Sequence, residues 1–451
     1  MESTSKIDIQ GQISNDTKLI KTMGLTDAIF MVVGMVIGSG IFFKTSSVLS
    51  SAGNPFLGIL AWLAGGGVAM ASALTISEIA TAIPETGGVF AYLKTLYNER
   101  LAFLFGWVQA LIYVPGSLAA LSVVFVTQAT YFIPLGTGGQ RLLAMVMILF
   151  LVIINIISTQ LGSKVQILAT IGKLIPIGII ISFGLLSGSS GGVQAITTVS
   201  KSTTGLAGFG AAMLGTLWAY DGWIGVTNIA GELKKPGKDL PKAIIIGLTA
   251  IISIYVLFNV ALINVIPADM LVMSDKPATD VSVALFGPAG GALIAGGIMI
   301  SIFGAMNGYL MTGVRIPYAM GKSGLFPFAK QISKLSEKGA TPVNALILEG
   351  LLACLYVMTG SFELLTNLAM FVVWIFFIIT VAGIFKLRTS LKDLERTYRV
   401  PLYPLVPILG IVGGLYIVTS TLITEMYTAV FGVTITMTGL PVYAYLKRRH
   451  F

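Results

Sequence analysis

Apolar runs of about 20 residues, parted by short polar clusters, recur along almost the whole chain. A helix of that length crosses a ~30 Å hydrocarbon core. A membrane barrel would instead show alternation over about 10 residues, which this sequence lacks. The pattern predicts an all-α integral membrane protein of twelve spans, over 23–50, 55–83, 99–132, 140–158, 163–187, 205–232, 241–266, 284–317, 342–359, 363–386, 401–422 and 426–446. Turn residues part them at Gly53-Asn54-Pro55, Pro84-Glu85-Thr86-Gly87-Gly88, Lys235-Pro236-Gly237 and Thr341-Pro342. The stretch 88–97 (GVFAYLKTLY) is too short to span and is expected to lie along the inner surface.

Two spans carry their own breakers. The first contains GMVIGSGIF, Gly34 to Phe42, and each glycine costs a helix about 1 kcal/mol against alanine. Gly34 and Gly38 form a GxxxG, which lets helices pack closely. That spacing accounts for neither Ser39 nor Gly40. Unwinding in a membrane is tolerated only beside a cavity or inside protein. The expectation is therefore that 38–41 unwinds and a second half-helix starts near Ile41. Its free N–H groups and positive dipole end would suit a carboxylate, and glycine would let the ligand approach the main chain. The sixth span contains LWAYDGWIG, Leu217 to Gly225. Unwinding over Ala219–Gly222 would leave a helix C-terminus with free carbonyls, which attract an ammonium group. Donors on one break and acceptors on the other describe a site for a zwitterion, hence for α-amino acids. Trp218, at the edge of the second break, can cover the ligand; packing accounts for Trp218 and Trp223 equally well. Each broken span opens a group of five. Interrupted spans at matching positions of two halves mark a transporter site built on an inverted repeat.

Charge fixes the orientation. Of the 28 lysines and arginines, only Lys44, Arg141, Lys201 and Lys276 fall in outer segments, and Lys173 falls within a span. All others fall on the side of both termini, the bias of cytoplasmic loops. The net charge of +9 is thus a topology signal rather than a nucleic-acid footprint. Residues 1–20 are polar with no apolar core, which predicts a cytoplasmic tail rather than a signal peptide. The single cysteine, Cys354, permits no internal disulfide. The single histidine, His450, is next to last, which excludes Ser-His catalysis and histidine metal sites in the core. No cofactor is expected.

Ionisable groups inside spans are functional candidates. Lys173, in TIGKLIPIG, could stand where coupled carriers hold sodium, tying spans 1, 5 and 8, or could form an ion pair or snorkel inward. Asp221 could read a substrate side chain or be held by local backbone and hydroxyl groups. Glu349 has no evident partner, and Glu78 and Glu232 sit near inner helix ends as interface or gate residues.

GMVIGSGIF, ISEIATAIPETGGVFAYL, GKLIPI, LWAYDGWIGVTNIAGELKKPGKDLPKAI, NGYLMTGVRIPYAMGKSGLFP and LERTYRVPLYPLVP together resemble the L-amino acid transporter family of the amino acid–polyamine–organocation superfamily, in the same order over nearly all the chain. The resemblance implies a leucine-transporter-type fold: a 5+5 inverted repeat (21–200 and 201–390), then two accessory helices and a tail (391–451). It implies that Ser39, Gly40 and Ile41, with Gly38, bind the carboxylate by backbone N–H groups. Carbonyls of Ile37, Trp218, Ala219 and Asp221, beside Gly222, are then candidates for the amine. Trp218 matches the family's outer aromatic gate, Lys173 its lysine in place of sodium, and Trp374 an aromatic bordering the side-chain pocket. Animal members join a glycoprotein subunit through a cysteine after the third helix; residues 131–140 (YFIPLGTGGQ) hold none, so no disulfide-linked heavy subunit is expected. Asp221 replaces the glycine of large-neutral transporters and resembles the aspartate of cystine/dibasic exchangers. Gly225 stands where some members have a bulky aromatic, which would enlarge the pocket.

The function expected is not enzymatic. It is sodium-independent exchange of small neutral L-amino acids by alternating access in the plasma (inner) membrane, with no nucleic-acid partner. The alternatives are proton- or sodium-coupled uptake with Asp221 or Glu349 as the coupling acid, exchange of cationic amino acids, or, from another class, a channel or sensor.

Overall fold

The computed structural model describes residues 24–83, 88–157, 159–187, 196, 204–225, 233–336, 341–359 and 361–449. The expected tail over 1–20, the turn at 84–87, Lys201, Glu232, Lys338 and His450 lie outside them. The described chain is helical, with no β-strand. Besides three short helices at Ala268–Val272, Arg315–Lys322 and Ala329–Ile332, its helices are α1 (Leu25–Val36), α2 (Gly40–Ala52), α3 (Pro55–Ala82), α4 (Val89–Leu96), α5 (Glu99–Val108), α6 (Val114–Ala129), α7 (Thr137–Ile157) and α8 (Thr159–Ser187). They continue with α9 (Gly205–Tyr220), α10 (Pro236–Val265), α11 (Pro277–Gly313), α12 (Val343–Thr359), α13 (Phe362–Thr389), α14 (Leu405–Thr424) and α15 (Met426–Arg449). A π-helical turn at Gln109–Tyr113 joins α5 to α6.

Among the described residues, eight helices are long and apolar enough to cross a membrane, and α1 with α2 make a ninth span bent by 52°. The three remaining expected spans fall on α8, α9 and α12. Gly172–Ser187 and Val343–Met358 are apolar but short, and α9 stops at a second break, beyond which 226–232 lie outside the described residues.

Local chemistry sets the helix ends. Gly53, at φ 74°, closes α2 with its N–H on the Leu49 carbonyl, a left-handed cap that suits glycine. Asn54 then caps α3, accepting from the Leu57 N–H at 2.8 Å, with Pro55 in the first turn. Asn98 caps α5 and Ser361 caps α13 in the same way. Gly287, at φ 71°, kinks α11 before Pro288, so the eighth helix begins earlier than the apolar run at 284 suggests.

Two groups of helices pack around the breaks. α9 lies against α2, α3 and α14; α10 lies against α1, α3 and α8. α11 packs on α8 and α6, and α12 on α6 and α7. α13 touches α3, α9, α6 and α14, so it runs between the two groups. α15 covers α13 and α5 from outside.

Candidate functional site

The first break comprises Ile37, Gly38 and Ser39, with Ile37 extended (ψ 97°) and Ser39 capping α2. It begins one residue and ends two residues earlier than the expected 38–41, because Gly40 already belongs to the second half-helix. The second break comprises Asp221, Gly222 and Trp223. Asp221 is extended (ψ 154°) and Gly222 sits at φ 108°, a conformation only glycine takes easily. It lies two residues later than expected, since Ala219 and Tyr220 still end α9.

The two breaks touch. A β-carbon on Gly40 would fall inside the van der Waals shell of the Ala219 backbone, and one on Gly222 would come 2.6 Å from the Met35 carbonyl oxygen. The close-packing glycine beside the first break is therefore Gly40, the first residue of α2. At Gly38 a β-carbon would meet only the Val36 oxygen, at 3.8 Å. The GxxxG spacing assigns these roles the other way round. Helix polarity does the rest. The first turn of α2 presents N–H groups that its own helix cannot use, and the last turn of α9 presents carbonyls. Opposite partial charges thus face one another across one contact.

Ser39, Ile37, Ile41, Trp218, Ala219 and Asp221 are all buried at this contact. The Ser39 Oγ has no hydrogen-bond partner among the described residues. Of the carbonyls nominated for the amine, that of Trp218 accepts from the Asp221 N–H at 3.3 Å. That of Ala219 accepts from the Tyr255 hydroxyl at 2.8 Å, and the same hydroxyl reaches the Val36 carbonyl at 3.2 Å. Tyr255, on α10, therefore ties the ends of α1 and α9 together.

Asp221 is held by hydroxyls. Its Oδ2 accepts from Tyr113, at the end of the π-helical turn, and from Tyr309 of α11 at 2.7 Å. The Trp218 ring stacks on Tyr309 (6.2 Å, 9°) and meets Phe362 edge-on (6.2 Å, 84°). Trp218 thus sits under a two-sided aromatic cover. Lys173, buried on α8, donates to the Gly34 carbonyl in the last turn of α1, which links the first and fifth spans. Trp374 packs on Phe377, whose ring also contacts Trp223 of the second break. A β-carbon on Gly414 of α14 would come 3.5 Å from the Trp374 ring.

One expectation is corrected. Gly225 does not open the pocket, because the Met35 side chain fills the space a β-carbon would take. Lys44, expected in an outer segment, is fully buried in α2 and bonded to α13. Glu78 is buried at the end of α3, accepting from Arg388 Nε at 3.0 Å, Arg388 Nη2 at 2.7 Å and the Val400 N–H at 2.7 Å. Glu349 is buried in α12 with both oxygens unpaired among the described residues.

Sequence reasoning missed Tyr113, Tyr255, Tyr309 and the burial of Lys44. A tyrosine inside an apolar span reads as packing, and nothing local marks its hydroxyl. Pro115 beside Tyr113, at a point where the helix widens to a π-turn, is the one available signal.

The amino acid permease family profile matches residues 23–444. The chain is 40% identical over 437 residues to the serine/threonine exchanger SteT of Bacillus subtilis (strain 168), covering 97% of this chain and 99% of that one. It is 33% identical over 419 residues to the b(0,+)-type amino acid transporter 1 of Mus musculus, covering 91% and 84%. It is 30% identical over 437 residues to the large neutral amino acids transporter small subunit 2 of Homo sapiens, covering 94% and 80%.

Proposed function

The chain belongs to the amino acid permease family, and from that premise we propose that it exchanges small neutral L-amino acids across the plasma membrane, without sodium, by alternating access. The observation that carries this reading is the contact of two broken helices of opposite polarity at Gly40 and Ala219. The substrate carboxylate meets the N–H groups of Ser39, Gly40 and Ile41. The amine meets carbonyls at Ile37 and the end of α9, where Tyr255 already fixes the backbone. The name of the serine/threonine relative favours side chains that carry a hydroxyl, and the aromatic cover of Trp218 and Tyr309 favours small ones.

In this reading twelve spans form two inverted repeats, 21–200 and 201–390, with α14 and α15 accessory and both termini cytoplasmic. Lys173 supplies a fixed cation against the α1 carbonyl, where a sodium-coupled carrier would need an ion. The substrate is moved and not altered, and no covalently attached subunit takes part. The bundle of α1, α2, α3, α9 and α10 rocks against the rest once the amino acid bridges the two breaks. The empty site leaves those N–H and carbonyl groups facing one another unbridged, which opposes closure and makes exchange faster than net flux.

Proteoliposomes preloaded with serine test this. Labelled serine is expected to enter only against internal amino acid, at the same rate when choline replaces sodium. Equal uptake into empty vesicles driven by a sodium or pH gradient would overturn exchange in favour of coupled uptake.

A further inference from the structure

A cleft of about 530 Å³ opens where the start of α5 meets the end of α15. Its lining is Asn98, Glu99 and Arg100 at the start of α5, with Tyr443 and Lys447 from α15. None of these is aliphatic, and the volume lies in the range of small-ligand sites. One turn further along, the two helices are firmly joined. Phe103 stacks on Trp107 (5.8 Å, 19°) and lies 5.2 Å from the Tyr443 ring. Trp107 Nε1 donates to Thr438 Oγ1 at 3.2 Å.

The charges in the cleft do not cancel. Glu99 Oε1 accepts from Lys447 Nζ at 2.6 Å and from the Tyr443 hydroxyl at 3.0 Å, which neutralises the one acid in the lining. Arg100 makes no ion pair among the described residues. Its guanidinium has the Tyr443 ring, at 6.0 Å. Lys94 adds a positive charge within electrostatic reach of Glu99. Asn98 spends its Oδ1 on the Leu101 N–H at 2.9 Å, and its side-chain amide keeps two N–H donors. The N–H groups of Glu99 and Arg100 open α5 and have no acceptor within that helix. An unpaired planar guanidinium beside such donors suits a phosphate.

The surroundings say which phosphate. α15 covers α13 and α5 from outside, and Met437, Leu440 and Tyr445 are exposed along it. On a spanning helix, exposed apolar groups lie against acyl chains, and a tyrosine marks the headgroup level. The cleft sits at the end of that same helix. Basic pockets between spanning helices on the cytoplasmic side suit anionic headgroups.

We propose that this cleft binds the phosphate headgroup of an anionic phospholipid, with Arg100 as its anchor and the acyl chains along α15. Glu99 holds Lys447 and Tyr443 in place, so the donors are set before the lipid arrives. The inference goes beyond the exchange reading and takes from it only the leaflet, which is the cytoplasmic one.

The test uses the full-length chain, purified in detergent and stripped of lipid. It is titrated with phosphatidylglycerol and with phosphatidylcholine of the same acyl chains, and bound lipid is counted by native mass spectrometry. The first phosphatidylglycerol is expected to bind about fivefold more tightly, or ~1 kcal/mol. Arg100→Gln, at an exposed position, is expected to bring that ratio below about twofold. Arg100→Lys keeps the charge without the planar fork and should fall between. Lys330→Gln removes an exposed charge outside the cleft and should keep the full preference. A preference that survives Arg100→Gln, or that Lys330→Gln abolishes equally, overturns the proposal. Displacement of phosphatidylglycerol by equimolar inorganic phosphate would make the cleft a free-anion site and overturns the lipid assignment. Binding is read without turnover. Selective binding without amino acid counterflow would count against exchange and leave the cleft standing; normal counterflow without selective binding would do the reverse.

Discussion

A methyl group added to Gly40 would be driven into the Ala219 backbone. Overpacking of this kind costs about 1–3 kcal/mol, and here it also pushes apart the two helix ends proposed to share a ligand. Gly40→Ala is expected to lower exchange at least tenfold and to reduce thermal stability in detergent. Gly38→Ala, with nothing nearer than 3.8 Å, is expected to leave stability unchanged. Equal effects from both would refute the contact. Asp221 invites a second test. Its carboxylate takes two tyrosine hydroxyls on one oxygen, and hydrogen bonds to a charged acceptor are roughly twice as strong as neutral ones. Asp221→Asn keeps an acceptor and loses the charge, so exchange of all neutral substrates is expected to fall several-fold together. A selective loss of arginine or lysine counterflow would instead mean that Asp221 reads cationic side chains. The breaks themselves were legible to within two residues, because Gly38-Ser39-Gly40 and Asp221-Gly222 cluster breakers, or a charge and a breaker, in mid-span beyond what close packing needs. The tyrosines that hold Asp221 were not, since α11 and the π-helical turn are distant in sequence and their ring pattern is that of ordinary packing.

At the scale of elements, the site is a junction of helix ends, and Tyr255 is its fastener. One hydroxyl serves carbonyls of both α1 and α9, so α10 fixes the angle between the two half-helices. Tyr255→Phe keeps the ring packed on Tyr220 and Trp62 and removes only the oxygen. The stability cost is expected to be about 1 kcal/mol, in line with single hydrogen bonds between membrane helices. The apparent affinity for substrate, measured as the half-saturating concentration in counterflow, is expected to weaken by a larger factor than the maximal rate, because the carbonyls proposed to bind the amine lose their alignment. A change in maximal rate alone would place Tyr255 outside the site. The 52° bend between α1 and α2 could be foreseen from composition, whereas its angle could not, because the angle is set by α9 and α10 packing against each half.

On the scale of the molecule, α13 is fastened to the bundle at both ends, by Lys44 of α2 at one and by Glu78 of α3 at the other. The fastenings differ in kind. Glu363 is 42% exposed, while Glu78 is 0% exposed, receives a two-pronged Arg388 and the Val400 N–H, and has Arg396 at 3.9 Å. Each pair has one fully buried member, and removing the partner of a buried charge costs about 3–5 kcal/mol. Glu78 gathers three donated hydrogen bonds and a second arginine, where Glu363 has Lys44, so the Arg388 end of α13 is the firmer anchor. Topology reasoning placed Lys44 among outer charges and Glu78 at an inner helix end, but neither sequence position reveals that both reach the same helix. Glu78→Ala is expected to lower the melting temperature in detergent far more than Glu363→Ala does. Glu78→Gln, which still offers an acceptor to Val400, should fall between them. If Glu78→Ala were as stable as the parent, the anchor would have no energetic basis, and α13 would be free to swing at both ends.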